Sequence, residues 1–442
     1  MSKEKSLFTE LTIQSADGER TANLANGFVL FEYYEDIFSP MVTAKLRIVN
    51  TQNTIKVDGR DGRESLYNGL PLRGGERVSL VLAPNSPRNP GLDFSRVEKY
   101  FYVSSVSDVI SEGSKESFTL HLVPREALTN EQSRVMGKYP TSLSIADSVK
   151  KIIKDYLTIT DSSTKVNTGT IDETSNKYGF MGNMRKPFTV LTWLASKSVP
   201  EKSGTAGYVF YQTVEGFQFR SLDRLAKQKP VARYISYDAV DAYDSNLRRN
   251  DNSNNIIDFF IEKNSNLIEK LRVGTYSNES IFFNPLTLSF GQKIYKQEDY
   301  QKKVDNLGGR FKLPPLNSQT EDTLGDVPTR RMSFISDVGT FEKGVSRDVN
   351  ADPNEYQNQV LMRYNTLFTQ TATMTVTSNT NLKAGDVIDC KFPRLSESKA
   401  TEYDTETSGL YIIKEVCHSF TTTSSYTSLK LVRDTFGSPV KK

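Results

Sequence analysis

Over most of this chain, apolar and polar residues alternate in short runs, the period of half-buried β-strands. Gly27 to Tyr33, Thr43 to Ile48, Arg77 to Leu82, Tyr102 to Ile110 and Ser117 to Leu122 all read this way, with Gly and Asn at the bends. Five strands at that spacing predict a small antiparallel barrel over residues 6–126.

The period then changes. Ile145, Val149, Ile152, Ile153 and Tyr156 recur at helical spacing behind Ser142 and Ser144, either of which can cap a helix. A second helix is predicted from Pro187, with Phe188, Leu191, Leu194 and Ala195 on one face beside the single tryptophan, Trp193. Asp161 to Lys177 is polar and reads as a surface loop. The hairpin Tyr208 to Arg220 closes an α+β domain over residues 127–232. Residues 291–352 are rich in Lys, Asp, Asn and Gly, include Pro314-Pro315, and read as a polar insertion rather than core. Behind them Asp352, Pro353 and Glu355 have the spacing of a helix start, and Tyr356, Val360, Tyr364 and Leu367 line the stripe of a core helix.

Part of the strand pattern occurs twice. Leu72-Arg73-Gly74-Gly75-Glu76-Arg77-Val78 lies against Leu382-Lys383-Ala384-Gly385-Asp386-Val387-Ile388 at an offset of 310. Phe101 to Val106 lies against Tyr411 to Val416 at the same offset. Leu120 to Val123 matches Leu429 to Val432 at 309, which assigns one lost residue to the hairpin turn, where deletion is cheapest. Gly75 and Gly385 would each allow a positive φ before a strand. Val78, Leu80 and Leu82 correspond to Ile388, Cys390 and Phe392 as inward positions. Three matches in one order predict a second, similar antiparallel barrel, split between residues 233–290 and 353–436. The fold class is therefore mainly β with α+β insertions. A chain with two like barrels can form a trimer with six near-equal positions on one face and true threefold symmetry on the other.

Composition narrows the function classes. The 442 residues carry a net charge of +3, with 56 basic and 53 acidic side chains, so nothing marks nucleic acid or membrane as a primary ligand. No stretch reaches the length of an apolar membrane span, and Met1 to Ser6 leads into no signal-peptide core. The two cysteines, Cys390 and Cys417, make no disulfide framework, and their repeat counterparts are Leu80 and Ser107. Both histidines, His121 and His418, fall inside strands, where a structural role accounts for them. Phosphate-loop, dinucleotide, zinc-protease and serine-hydrolase motifs are absent. No residue is put forward as catalytic, cofactor-binding or metal-ligating.

The segments Tyr33 to Val42, Leu72 to Glu76, Ser144 to Leu157 and Lys186 to Ala195 resemble those of the baseplate hub family of contractile-tailed phages, of the T-even and cyanophage type. So do Gly207 to Tyr211, Gly216 to Leu222, Leu271 to Tyr276 and Phe282 to Leu286. The resemblance covers nearly the whole chain except residues 291–352. It implies two tube-type barrels per chain and a homotrimeric hub in the virion tail baseplate, assembled in the host cytoplasm. The partners it implies are the tail tube or a tube-terminal protein, the central spike and baseplate wedge proteins, with genome DNA only in passage through the ring. More distantly, the architecture is shared with type VI secretion spike proteins. Rival readings are a tail-associated cell-wall hydrolase, which needs a paired acid and base in a cleft, and a glycan-binding tail module.

Overall fold

A computed structural model describes residues 7–437 apart from 52–54, 56, 59–64, 84–88, 114, 159–167, 203, 237–253, 263–265, 302, 303, 305, 310–312, 314, 316–321, 339–352 and 395–402. The helix-start position Asp352 lies outside the described residues, as do Met1 to Ser6 and residues 161–167 of the expected 161–177 loop.

The first half is a sheet of β1 (Phe8–Gln14), β2 (Thr21–Asn23), β3 (Phe28–Asp36), β4 (Thr43–Thr51), β5 (Arg77–Leu82), β6 (Leu92–Asp93), β7 (Phe101–Glu112) and β8 (Lys115–Pro124). Its main order is β1-β5-β7-β8-β4-β3, all antiparallel. The strand β1 is one more than the pattern predicted. No described ladder joins β1 to β3, and the gap is bridged by the Phe8 and Phe28 rings, 4.2 Å apart. Leu11, Phe31, Tyr33, Leu46, Val78, Leu80, Phe101 and Leu120 fill the interior. Every second residue points there because strand side chains alternate.

Next come β9 (Lys138–Tyr139), β10 (Thr168–Ile171), β11 (Phe180–Met181), β12 (Tyr208–Thr213) and β13 (Gly216–Ser221), with helices Ile145–Ile152 and Pro187–Ala195. Ser144 caps the first helix by accepting from the Asp147 amide, and Pro187 opens the second. Residues 168–171, expected as loop, instead pair in parallel with β13. The β12 strand is buried along its whole length because two cores claim its faces. Tyr208 and Phe210 join the helices, while Val209 and Tyr211 join the core of the second barrel.

The second half contains β14 (Ala232–Ser236), β15 (Asn255–Glu262), β16 (Ser277–Asn284), β17 (Ser289–Lys296), β18 (Arg330–Ile335), β19 (Gln370–Thr377), β20 (Val387–Lys391), β21 (Gly409–Thr421) and β22 (Ser425–Arg433). Six of these close a ring, β14-β20-β21-β22-β19-β15 and back to β14. The strand β16, which the sequence assigned to this barrel, lies in a separate three-stranded sheet, β17-β16-β18. That sheet includes the described strands of residues 291–352 and packs on the helix Pro353–Leu367 through Tyr295, Val304 and Met362.

The two halves repeat each other pair by pair. Arg77 faces Tyr102 and Val387 faces Ile412; Val103 faces Leu122 and Ile413 faces Leu431. A bulge follows in both, between Val103 and Ser105 and between Ile413 and Glu415. The early strands correspond too, at other offsets. Phe31 faces Leu46 as Phe259 faces Met374, and the β3 bulge between Phe28 and Leu30 recurs in β15 between Ile256 and Asp258. Two expectations need correction. The missing residue lies not in the hairpin turn but at a bulge inside β7, where Asp108 has φ +53° and β21 runs through without one. The second barrel is also not wholly antiparallel, since β14 runs parallel to both β20 and β15 while its counterpart β1 runs antiparallel to β5.

Candidate functional site

The sheet does not stop between the halves. The edge of β3 pairs antiparallel with the second part of β21, from Asp36 opposite Glu415 to Leu30 opposite Thr421. Tyr33 stacks on His418 with ring centroids 6.2 Å apart, and Phe31 lies over Phe420 at the same distance. Lys414 closes the seam with an ion pair to Asp36 at 2.7 Å.

Glu35 is the node of this seam. It continues the inward series Phe31, Tyr33, Glu35, so the pleat drives its carboxylate into the interior. One oxygen accepts from the Tyr33 hydroxyl at 2.8 Å and the Val214 amide at 2.7 Å; the other accepts from the Ala384 amide at 2.9 Å. A single side chain thus ties β3 to the β12–β13 turn and to the turn before β20. Burial pushes its pKa up to about 7, and that of nearby Asp386 to about 6. His418 is fully buried; its Nε2 donates to the Leu382 carbonyl at 3.1 Å, its Nδ1 meets the Thr427 hydroxyl at 3.1 Å, and burial holds it down at about 4.

A second node lies in the helix Pro353–Leu367. Arg363 has no exposed side-chain area and sits between Asp223, at 3.0 Å, and Asp434, at 2.7 Å. Asp223 accepts from Thr205 and Asp434 from the Leu307 amide, so the cluster fastens five chain segments. The sequence reading took this helix for plain core and missed Arg363, whose spacing from Val360 and Leu367 was the available signal. It missed Glu35 too, although an acid at an inward strand position is equally visible.

The singled-out chemistry does not converge. His121 meets Ser107 at 2.9 Å, while His418 is enclosed in the seam. Cys390 is buried and Cys417 half-buried, and burial pushes both thiols up, Cys417 to about 12. No group of three metal-ligating side chains occurs among the described residues. No helix among them is long and apolar enough to cross a membrane. A cleft of about 480 Å³ opens beside the seam, and four of its charged side chains pair with one another, Arg96 with Asp93 and Lys383 with Glu215. What the arrangement can do is hold sheets together edge to edge.

No family model matches the chain, and no curated protein does. Solved structures do match. The chain shares its fold with tail proteins. A tail protein of Neisseria meningitidis is similar over 96% of both chains, with a TM-score of 0.51 and 11% identity. The 43 kDa tail protein of prophage MuSo2 from Shewanella oneidensis is similar over 96% of this chain and 98% of its own, with a TM-score of 0.53 and 9% identity. A Listeria monocytogenes prophage tail protein, gp18, covers 96% of this chain at a TM-score of 0.47 and 8% identity.

Proposed function

We propose that this protein is a structural subunit of a contractile phage tail, the baseplate hub that joins the sixfold tail tube to a threefold central spike. The observation that carries the reading is the repeated ladder: two halves in one chain with the same strand order, and with the Val103–Ser105 bulge recurring at Ile413–Glu415. The shared fold with tail proteins supports it. In this reading residues 6–126 and the split segment 233–290 with 353–436 are the two tube-type units, less the β16 strand. Residues 127–232 form the α+β domain and 291–352 the insertion. Three copies place six such units in a ring around a channel wide enough for DNA. The tube, spike and baseplate wedge proteins are its neighbours, and the virion tail is its location.

The test is co-expression with the tube and spike proteins of the same phage, followed by mass measurement and electron-microscope class averages. The expected product is a trimeric ring with six near-equal lobes seated between tube and spike. A complex with two copies, or a chain that remains monomeric beside both partners, overturns the reading. Release of peptidoglycan fragments by the pure protein would favour the hydrolase instead.

A further inference from the structure

The seam inside the chain describes how a second copy would join it. The β3 edge used in the seam, Leu30 to Asp36, corresponds at an offset of 228 to Asp258 onward in β15. The β21 edge, Glu415 to Thr421, corresponds to Ser105–Glu112 in β7, at an offset of 310 through Ser107 and 309 from Ile110.

Both corresponding edges are open among the described residues. The neighbour of β7 on that side, β5, pairs only with Phe101 and Tyr102. The neighbour of β15, β14, pairs only with Asn255 and Ile256. Each open edge also displays apolar side chains: Ile110 is 57% exposed beside Val109, and Phe260 is 68% exposed beside Ile257. An unpaired edge with exposed apolar side chains is a template for another strand.

We infer that β7 of one copy pairs antiparallel with β15 of the next, in the register of the β3–β21 seam. Ser107 then faces Glu262 as Cys417 faces Tyr34, and Ile110 faces Phe260 as Ser419 faces Glu32. Two exposed apolar side chains cover each other, and the serine hydroxyl can donate to the carboxylate. Glu112 opposite Asp258 brings like charges together and ends the ladder. The contact is heterologous, so each copy offers one edge and accepts the other, and closure of the ring fixes the copy number. The inference rests on the ring reading above and adds to it which strands meet and in what register.

Cysteine cross-linking tests it. Ile110→Cys and Phe260→Cys are made in a Cys417→Ser background, since the repeat already places serine at the equivalent position 107. Circular dichroism checks that each exposed-site variant remains folded. A mixture of the two single variants, treated with an oxidant or a short bismaleimide, should give a covalent dimer that neither variant gives alone. The double variant should give a covalent closed trimer. Trimers by light scattering without a 110–260 cross-link overturn the strand pairing while leaving the ring reading intact. A chain that stays monomeric and without a cross-link even beside the tube and spike proteins overturns both.

Discussion

Gly75 and Gly385 occupy the same turn in the two halves of the chain. Their φ values are +91° and +90°, and each amide donates across the turn, Gly75 to the Val103 carbonyl at 2.7 Å and Gly385 to the Ile413 carbonyl at 2.8 Å. The acid after each glycine, Glu76 or Asp386, accepts from a backbone amide of its own turn. What differs is the surroundings. A Cβ on Gly75 would find only the Ala16 methyl, 3.9 Å away, while one on Gly385 would run into the Tyr211 hydroxyl.

Alanine at the two glycines should therefore give unequal losses. Gly75→Ala carries the left-handed backbone cost alone, about 1–2 kcal/mol. Gly385→Ala adds displacement of Tyr211 from the shared core and should cost visibly more. Urea unfolding of both variants checks the order; equal midpoints would show that the second turn is not held by β12.

Removing the cation of the buried cluster should be severe. Arg363→Met leaves Asp223 and Asp434 buried without their partner, a loss of about 3–5 kcal/mol. Adding Asp223→Asn and Asp434→Asn to the same variant should restore part of it. Chemical denaturation of the single and triple variants decides. A single variant within about 0.5 kcal/mol of the parent would show the cluster to be dispensable.

The seam should make stability depend on pH through groups that oppose each other, Asp386, raised from 3.8 to about 6, acting on the same side as Glu35. Glu35 is raised from 4.5 to about 7, so the folded state holds its proton longer, and this contribution falls as pH rises from 4.5 to 7. His418 is lowered from 6.5 to about 4, so its contribution falls as pH drops from 6.5 to 4. Between about 4.5 and 6.5 the two oppose each other. Glu35→Gln removes the Glu35 contribution, so its Tm should climb more steeply than the parent's across that range. Parallel Tm profiles would mean that Glu35 does not titrate there.

The three-stranded sheet should depend on one amide. Asn358 is buried, donates to the Lys293 carbonyl at 2.9 Å and accepts from Ser280. Asn358→Ala strands these partners at about 1–3 kcal/mol. Limited proteolysis should then cut between β16 and β18 sooner than in the parent, with the long sheet still intact.

The legible part of the fold was the part whose side chains repeat. The turn at Gly75 and Gly385 and the three strands after it keep both spacing and residue type, so one offset exposes them. The early strands keep mainly their geometry: Phe31 recurs as Phe259, but Tyr33 and Leu46 have become Ile261 and Met374, and insertions have changed the offsets to 228 and 328. Alternation also says that β16 is a strand without saying which sheet owns it. The reversed direction of β14 was illegible for a related reason, because a strand reads alike from either end and the preceding α+β segment decides where it enters. Glu35 and Arg363 were visible as charges at inward positions. Their roles depend on Val214, Ala384, Asp223 and Asp434, which no local pattern connects to them.

Because β21 is both a wall of the second barrel and the partner of β3, the chain has a fixed order of completion during synthesis. The β3 strand leaves the ribosome well before β21, and its outer edge has no mate until residues 415–421 emerge, after all of the chain between them has been made. For that whole interval the nascent first half displays an unsatisfied strand, the kind of surface on which growing chains aggregate. Glu32, Glu35 and Asp36 lie along it. In the finished protein Glu35 and Asp36 fasten the seam; beforehand, the same charges would keep one unfinished copy from adding to another.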